Sequence, residues 1–296
     1  MPTVADAYRK FQAELEQGRP HVAPREALEM IELALNRADL VGKGQVALER
    51  LDFPAEYEAV IAQMVQRRVA GEPLGQILGY AWFYGRRFSV TKDVLIPRPD
   101  TEVLVVEALA RLKGSERIAE VGVGTGCVMG TLLAERPDVE AAGFEISDAA
   151  AAVARGNLRA LGVDGRGRVE VRDGMDGVEE SFNLLVSNPP YVTDDEWEML
   201  EDEVRDHEPR LALTGAEPNP DGLLFYRRLA AWGSDKLRPG GWLCVETGWQ
   251  QAQAVRELLQ QQNMAAETAG KGKIWHAITV TKDLGGRERV VCAQRC

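Results

Sequence analysis

The sequence predicts an α/β fold: a mostly parallel, doubly wound sheet, preceded by a small N-terminal helical domain and joined to it by a β-hairpin. Three features lead to this. From Arg117 onward, strand-like and helix-like runs alternate, which calls for a parallel sheet covered on both faces. Residues 1 to about 72 instead repeat their apolar side chains at helical spacing. Between them, residues 75–94 gather aromatic and β-branched side chains around Gly85 and hold few helix formers. The boundaries that follow are a helical domain over 1–74, a hairpin linker over 75–95 and the α/β domain over 96–296. A chain of 296 residues accommodates two domains.

In the helical domain Tyr8, Phe11 and Leu15 recur at helical spacing, as do Ala27, Met30, Ile31, Leu33, Ala34 and Leu35. Pro24 sits where a helix can begin, and Pro54 opens a further run that Gly71 closes. This module is too small to be catalytic by itself. In LIPRPDTE, residues 95–102, Pro97 and Pro99 bar a helix until about Asp100, the expected N-cap of TEVLVVEALARLKG. RIAEVGV then reads as a strand and GCVMGTLLAER as a helix, VEAAGFEI as a strand and DAAAAVARGNLRAL as a helix. RVEVRD and FNLLVSN are strands, and DGLLFYRRLAAWGSDKL is a helix before the strand GWLCVET. The helix WQQAQAVRELLQQQ precedes two final strands, KIWHAITVTKD and RERVVCAQR.

Composition narrows the function. The net charge of −11 argues against a general binder of phosphate backbones, whose affinity comes from clustered Lys and Arg. No window approaches the length of an apolar membrane span, and the N-terminus mixes charge throughout, unlike a secretion signal. Cys127, Cys244, Cys292 and Cys296 have neither metal-ligand nor disulfide-framework spacing, so a reduced, cytoplasmic setting is expected.

Two loops carry the chemistry. EVGVGTG, residues 120–126, lies between a predicted strand and helix, and Gly122, Gly124 and Gly126 let the backbone turn sharply and approach a ligand. Dinucleotide enzymes use similar turns. Here, however, the spacing is G-x-G-x-G, and Glu120 precedes it on the strand. Glu145 ends the next strand, where a carboxylate can accept hydrogen bonds from both ribose hydroxyls. Together these read more as an S-adenosylmethionine pocket than as an NAD pocket; a bare strand-to-helix turn is the bland alternative.

SNPPY, residues 187–191, follows the apolar strand FNLLV and is the most specific signal in the chain. Two prolines stiffen the loop and hold Asn188 extended, at the sheet edge where ligands bind in such folds. An amide nitrogen is a poor nucleophile because its lone pair is delocalised. The Asn188 side-chain carbonyl and the Pro189 backbone carbonyl can each accept one N–H of a substrate NH2, aiming the lone pair at a sulfonium methyl. Tyr191 can cover the flat substrate group. No dedicated base is required, since a methylated, positively charged amide nitrogen sheds its proton readily. A rigid strand-ending turn is the bland reading.

With these residues in view, the chain resembles the bacterial peptide-chain-release-factor N5-glutamine methyltransferases, a class I S-adenosylmethionine-dependent family. GYAWFYGRRFSV, LIPRPDTE, EVGVGTG, SNPPY, EPRLAL, DGLLFYRRL, ETGWQQ and GRERVV carry the likeness nearly end to end. The resemblance implies methyl transfer from S-adenosylmethionine to the glutamine side chain of the Gly-Gly-Gln motif in class 1 release factors. It implies that Gly122, Val123, Gly124, Thr125 and Gly126 line the cofactor's methionine part. Glu120 would belong to the same site, Glu145 would bind the ribose, and Asp173 and Gly174 would flank the adenine. Asn188 would touch cofactor and substrate, Pro189, Pro190 and Tyr191 would complete the glutamine pocket, and Phe88 and Arg98 would sit near its mouth. The helical domain would contact the release factor away from the reacting glutamine. A monomer is expected, with no direct nucleic-acid contact and no membrane association. The chain departs from the family in having Glu120 and Glu145 where Asp is usual and Val123 where Thr is common; each Glu adds roughly one C–C bond of reach.

Asn-Pro-Pro-Tyr is shared with DNA adenine methyltransferases, but the chain has no basic target-recognition segment. A ribosomal-protein glutamine is another alternative substrate, although that branch usually has Ser where this chain has Pro99. A non-catalytic binding module is a further rival, opposed by the intact loop. His21, His207 and His276 read as ordinary surface or core residues, and Cys127 as a packing residue despite its place at a helix start. Trp82 and Phe83 read equally as substrate contacts or hairpin core. The acidic run 194–208 reads equally as a solvated face or a partner contact. Arg67 and Arg68 are too few to suggest nucleic-acid binding.

Overall fold

A computed structural model describes residues 2–19, 22–37 and 39–296, so the expectation for His21 lies outside the described residues. The chain forms two compact units. One holds the described residues up to Tyr80 together with Glu201–His207, and the other holds Ala81–Leu200 and Glu208–Cys296.

The first unit is helical. Thr3 caps helix Val4–Gly18 in a capping box with Asp6, whose carboxyl is drawn down to about 2 by hydrogen bonds from Thr3 and Arg9. Helices Glu26–Ala34 and Glu58–Val69 pack on it through Phe11, Leu15, Met30, Ile31, Ile61 and Val65. The helix Asp202–His207 belongs to this unit, so the acidic run 194–208 is not simply a solvated face. Its Glu203 pairs with Arg19 and, at 2.9 Å, with Arg68 Nη1. Arg68 is buried and also donates from Nε to Glu26 Oε2 at 2.6 Å. It is therefore an internal cation held by two carboxylates.

The hairpin expected over 75–95 is shorter. Leu74–Leu78 is helical, and Gly79, at φ 73°, ends it in the left-handed conformation that L-residues avoid. Only then do β1 (Tyr80–Phe83) and β2 (Arg86–Ser89) pair. Asp100 is likewise not an N-cap: Pro99–Thr101 form a 3-10 turn leading into helix Glu102–Leu109, and the Asp100 carboxylate lies 2.9 Å from Arg289.

The second unit is built on seven strands: β3 (Arg117–Val121), β4 (Glu140–Glu145), β5 (Gly167–Val171), β6 (Phe182–Ser187), β7 (Leu237–Glu246), β8 (Trp275–Lys282) and β9 (Glu288–Arg295). Their order is β5-β4-β3-β6-β7-β9-β8. The first five pair in parallel; β9 runs antiparallel to both β7 and β8. Alternation along the strands divides the core. Ile118, Leu184, Val186, Cys244 and Cys292 join one apolar cluster, with helices Glu102–Leu109, Cys127–Glu135 and Asp148–Ala160. Ala119, Leu185, Leu243, Val245 and Val291 join the other, with helices Leu224–Lys236 and Ala252–Thr268. Both faces are covered, as the near-continuous apolar strands require. Among the described residues no helix is long and apolar enough to cross a membrane.

Removing Arg68 leaves Glu26 as a buried charge without its guanidinium. Arg68→Ala is expected to destabilise the helical unit by about 3–5 kcal/mol, measured by chemical denaturation with far-UV circular dichroism.

Candidate active site

The strand order reverses between β3 and β6, and in open α/β sheets a crevice opens at the carboxyl ends of such neighbours. The glycine loop leaves β3 and the proline loop leaves β6, so adjacent parallel strands deliver both motifs to one place. The Ser187 hydroxyl ties them by donating to the Val121 carbonyl at 2.7 Å. A cavity of about 270 Å³ opens there, lined by residues of both loops, of 92–98 and of 209–217.

Gly122, Gly124 and Gly126 all adopt positive φ; Gly122 and Gly124 line the cavity, whereas Gly126, expected there too, does not, because a Cβ on it would meet Ala154 of the next helix at 3.3 Å. Glu145 braces this turn: Oε2 accepts the Gly124 N–H and Oε1 the Ser147 N–H, each at 2.9 Å. Asn157 adds support by donating to the Thr125 and Ser89 carbonyls. Glu120 reaches the start of the following helix, where Oε2 accepts the Met129 N–H at 2.9 Å. Burial pushes its carboxyl well above the ordinary range, against that hydrogen bond, with the charge of Glu145 adding to the rise. The longer reach of both glutamates therefore ends on loop and helix amides.

Asp173 and Gly174 line the same cavity. Asp173 accepts from Arg228 at 2.9 Å. At Gly174, φ is 68° and a Cβ would lie 2.1 Å from the Trp232 ring, so only glycine admits that indole. Trp232 is held by its Nε1–H, which donates to Asp176 at 2.8 Å.

Asn188, Pro189 and Pro190 line the cavity, and Asn188 Nδ2 donates to the Thr101 hydroxyl at 3.3 Å. Tyr191 is not among its lining residues. Beyond the prolines the Tyr191 carbonyl accepts from Gln251 Nε2 at 3.0 Å, and the side chain packs on the second apolar cluster. Burial there pushes its phenol up to about 12. Phe88, expected near the mouth, lies instead in the first core cluster, edge-on to Phe83 with ring centroids 6.1 Å apart. As an inward residue of a short strand it packs against the helix Cys127–Glu135, where a Cβ on Gly130 would lie 3.3 Å from its ring. Phe83 is core as well, whereas Trp82 is largely exposed. Cys127 is a packing thiol, pushed up to about 12 by burial despite its place at a helix start. His207 offers its backbone carbonyl to Gln76, His276 lies exposed on β8, and the described residues contain no cluster suited to a metal.

Arg98 does line the cavity, paired with the buried Glu208. The other Glu208 oxygen accepts the Ile96 N–H at 3.0 Å. One carboxylate thus clamps LIPRP to EPRLAL, and both segments form cavity wall. Residue-by-residue reasoning passed over Glu208, Thr101, Arg228 and Trp232. The first was visible as the acid opening EPRLAL, but Trp232 looks like any apolar helix position.

Comparison with known proteins agrees with this geometry. Residues 99–215 match the family model described as Methyltransferase small domain. The chain is 43% identical over 240 residues to the release factor glutamine methyltransferase of Cereibacter sphaeroides, covering 81% of this chain and 79% of that one. It is 35% identical over 299 residues to the one from Bradyrhizobium diazoefficiens, covering 99% and 95%. A methyltransferase crystal structure from Pyrococcus furiosus shares the fold, with a TM-score of 0.51, 16% identity and coverage of 72% of this chain and 90% of that one.

Glu208→Ala removes the acceptor of a buried N–H and of Arg98, and is expected to cost about 1–3 kcal/mol in thermal denaturation. Gly174→Ala forces the Trp232 indole aside and is expected to cost about 1–3 kcal/mol in the same measurement, through overpacking.

Proposed function

The chain belongs to the release factor glutamine methyltransferase family and is a methyltransferase, and from this premise we propose that it uses S-adenosylmethionine to methylate N5 of the glutamine in the Gly-Gly-Gln motif of class 1 peptide chain release factors. The observation that carries the reading is the convergence of the glycine loop and the Asn-Pro-Pro loop on one cavity at the β3–β6 switch point.

The residues present fit the cofactor: Gly122 and Gly124 of the positive-φ glycine turn, a carboxylate at the end of the next strand, and an acid–glycine pair after β5 all face one cavity. Gly122 to Gly126, with Val123, Thr125 and Glu120, would hold the amino-acid part, Glu145 the ribose, and Asp173 and Gly174 the adenine beside Trp232. When bound, S-adenosylmethionine supplies a methyl carbon made electrophilic by its sulfonium. Asn188 Oδ1 and the Pro189 carbonyl then each accept one N–H of the glutamine amide. Holding both hydrogens in fixed directions turns the nitrogen lone pair out of conjugation with its carbonyl and toward that carbon. The prolines keep both acceptors in place before substrate arrives, so little reorganisation accompanies the reaction. Pro190 and Arg98 would complete the substrate wall. The proton lost from the alkylated nitrogen leaves to solvent, and no residue is needed as base.

The helical unit is assigned to holding the release factor away from the reacting glutamine. The protein is taken to act as a monomer in the cytoplasm, without direct contact to nucleic acid. The free thiols of Cys127, Cys244, Cys292 and Cys296 support a reducing compartment.

Incubation with labelled cofactor and purified release factor is expected to label the wild-type tripeptide and not its Gln→Ala version. Label on duplex DNA, on a ribosomal protein instead, or equally on the control overturns the assignment. Asn188→Ala is expected to lower kcat by about 100-fold or more, the scale of losing one preorganised polar group.

A further inference from the structure

Arg228, on helix Leu224–Lys236, lines the cavity but belongs to neither motif loop. Its Nη2 donates to Asp173 Oδ1 at 2.9 Å and its Nη1 to Glu217 Oε1 at 3.0 Å. Asp173 follows β5 and Glu217 ends the wall segment 209–217, so one guanidinium joins two parts of the cavity that are remote in sequence. Two rings that also line the cavity hold that guanidinium. It stands 4.8 Å from the Trp232 ring centroid and 5.9 Å from that of Phe225. A glycine admits each ring. Gly174 leaves room for Trp232, and at Gly215, with φ 80°, a Cβ would lie 2.4 Å from the Phe225 ring.

An exposed ion pair contributes little by itself, because holding two long side chains in one geometry costs entropy. Here the stacked rings already restrict Arg228, and its planar fork suits two acceptors at once. The fork fixes Asp173 in turn. One carboxylate oxygen is committed to Arg228, and Oδ2 has no hydrogen-bond partner among the described residues. A carboxylate only accepts. The free oxygen therefore suits the exocyclic amino group of adenine and repels the oxo group of a deaminated purine.

We propose that Arg228 is a positioning residue for the cofactor's purine. By drawing Asp173 and Glu217 onto one guanidinium, it joins two walls of the cavity and aims Asp173 Oδ2 at the ring's amino group, so that the site selects an aminopurine. This rests on the S-adenosylmethionine reading above. None of the Arg228 contacts involves Asn188 or the prolines, so its effect falls on cofactor binding and not on the methyl-transfer step. Lysine is a poor replacement: its ammonium is a point charge that cannot hold two carboxylates in fixed directions.

The test measures binding of S-adenosylhomocysteine and of its deaminated analogue, S-inosylhomocysteine, by calorimetry in wild type, Arg228→Met and Arg228→Lys. Arg228→Met keeps an apolar stem beside Trp232 and removes the fork. Wild type is expected to favour the adenosyl compound by about 10–100-fold, the scale of one hydrogen bond to a charged group. In Arg228→Met the preference is expected to fall to within about threefold, with Kd for S-adenosylhomocysteine raised about 10-fold, and in Arg228→Lys both values lie between. With saturating S-adenosylmethionine and purified release factor, kcat of both variants is expected to stay within about twofold of wild type. An unaltered preference in either variant, or a loss of kcat with Kd unchanged, overturns the proposal. Far-UV circular dichroism establishes that each variant is folded, and if Arg228→Met is not, Arg228→Lys decides alone. Wild type that binds neither compound at millimolar concentration sinks the cofactor reading and this proposal together. Wild type that binds both equally sinks this proposal alone.

Discussion

The pairing of β3 with β6 is the constraint on which the rest depends. Parallel hydrogen bonds place Glu120 beside Val186 and start two loops from adjacent strand ends. Successive strands run one way from β3 and the other way from β6, so no connecting helix crosses the gap above them. A groove therefore exists before any side chain is considered. The Ser187–Val121 hydrogen bond then sets the two loop origins against each other.

Around that groove the chain uses carboxylates as internal clamps more than as surface charges. Glu145 holds the glycine turn, Glu120 the start of the next helix, and Glu208 the two wall segments. Each accepts from backbone N–H groups that would otherwise be buried without partners, which costs more than a typical hydrogen bond contributes. The net charge of −11 thus overstates how acidic the working surface is, because several of these acids are interior and already paired. Glu246 differs from them: one of its oxygens has no partner, and its pKa is raised to about 7.

The helical unit follows the same rule on a smaller scale. Arg68 lies among apolar helices because Glu26 and Glu203 surround it, and Glu203 comes from a segment more than a hundred residues downstream in the chain. Such a contact makes the unit depend on a distant stretch of sequence.

Much was legible in the residues themselves. Alternating strand and helix runs dictated a parallel sheet, and the glycine spacing with Glu145 and the proline pair marked the two loops that meet. Local chemistry decides these features, since backbone conformation and side-chain period are properties of short segments. What needed the tertiary structure were the partners. Phe88 and Tyr191 read as site residues but turn into core, because the direction of a side chain depends on what packs behind it. Asp100 read as a cap but faces Arg289, and nothing in the sequence marked Arg68 as the enclosed cation that it is. Glu208 and Thr101 stand in the motifs EPRLAL and LIPRPDTE, but their partners were hidden, since those exist only where segments remote in sequence come within hydrogen-bond reach.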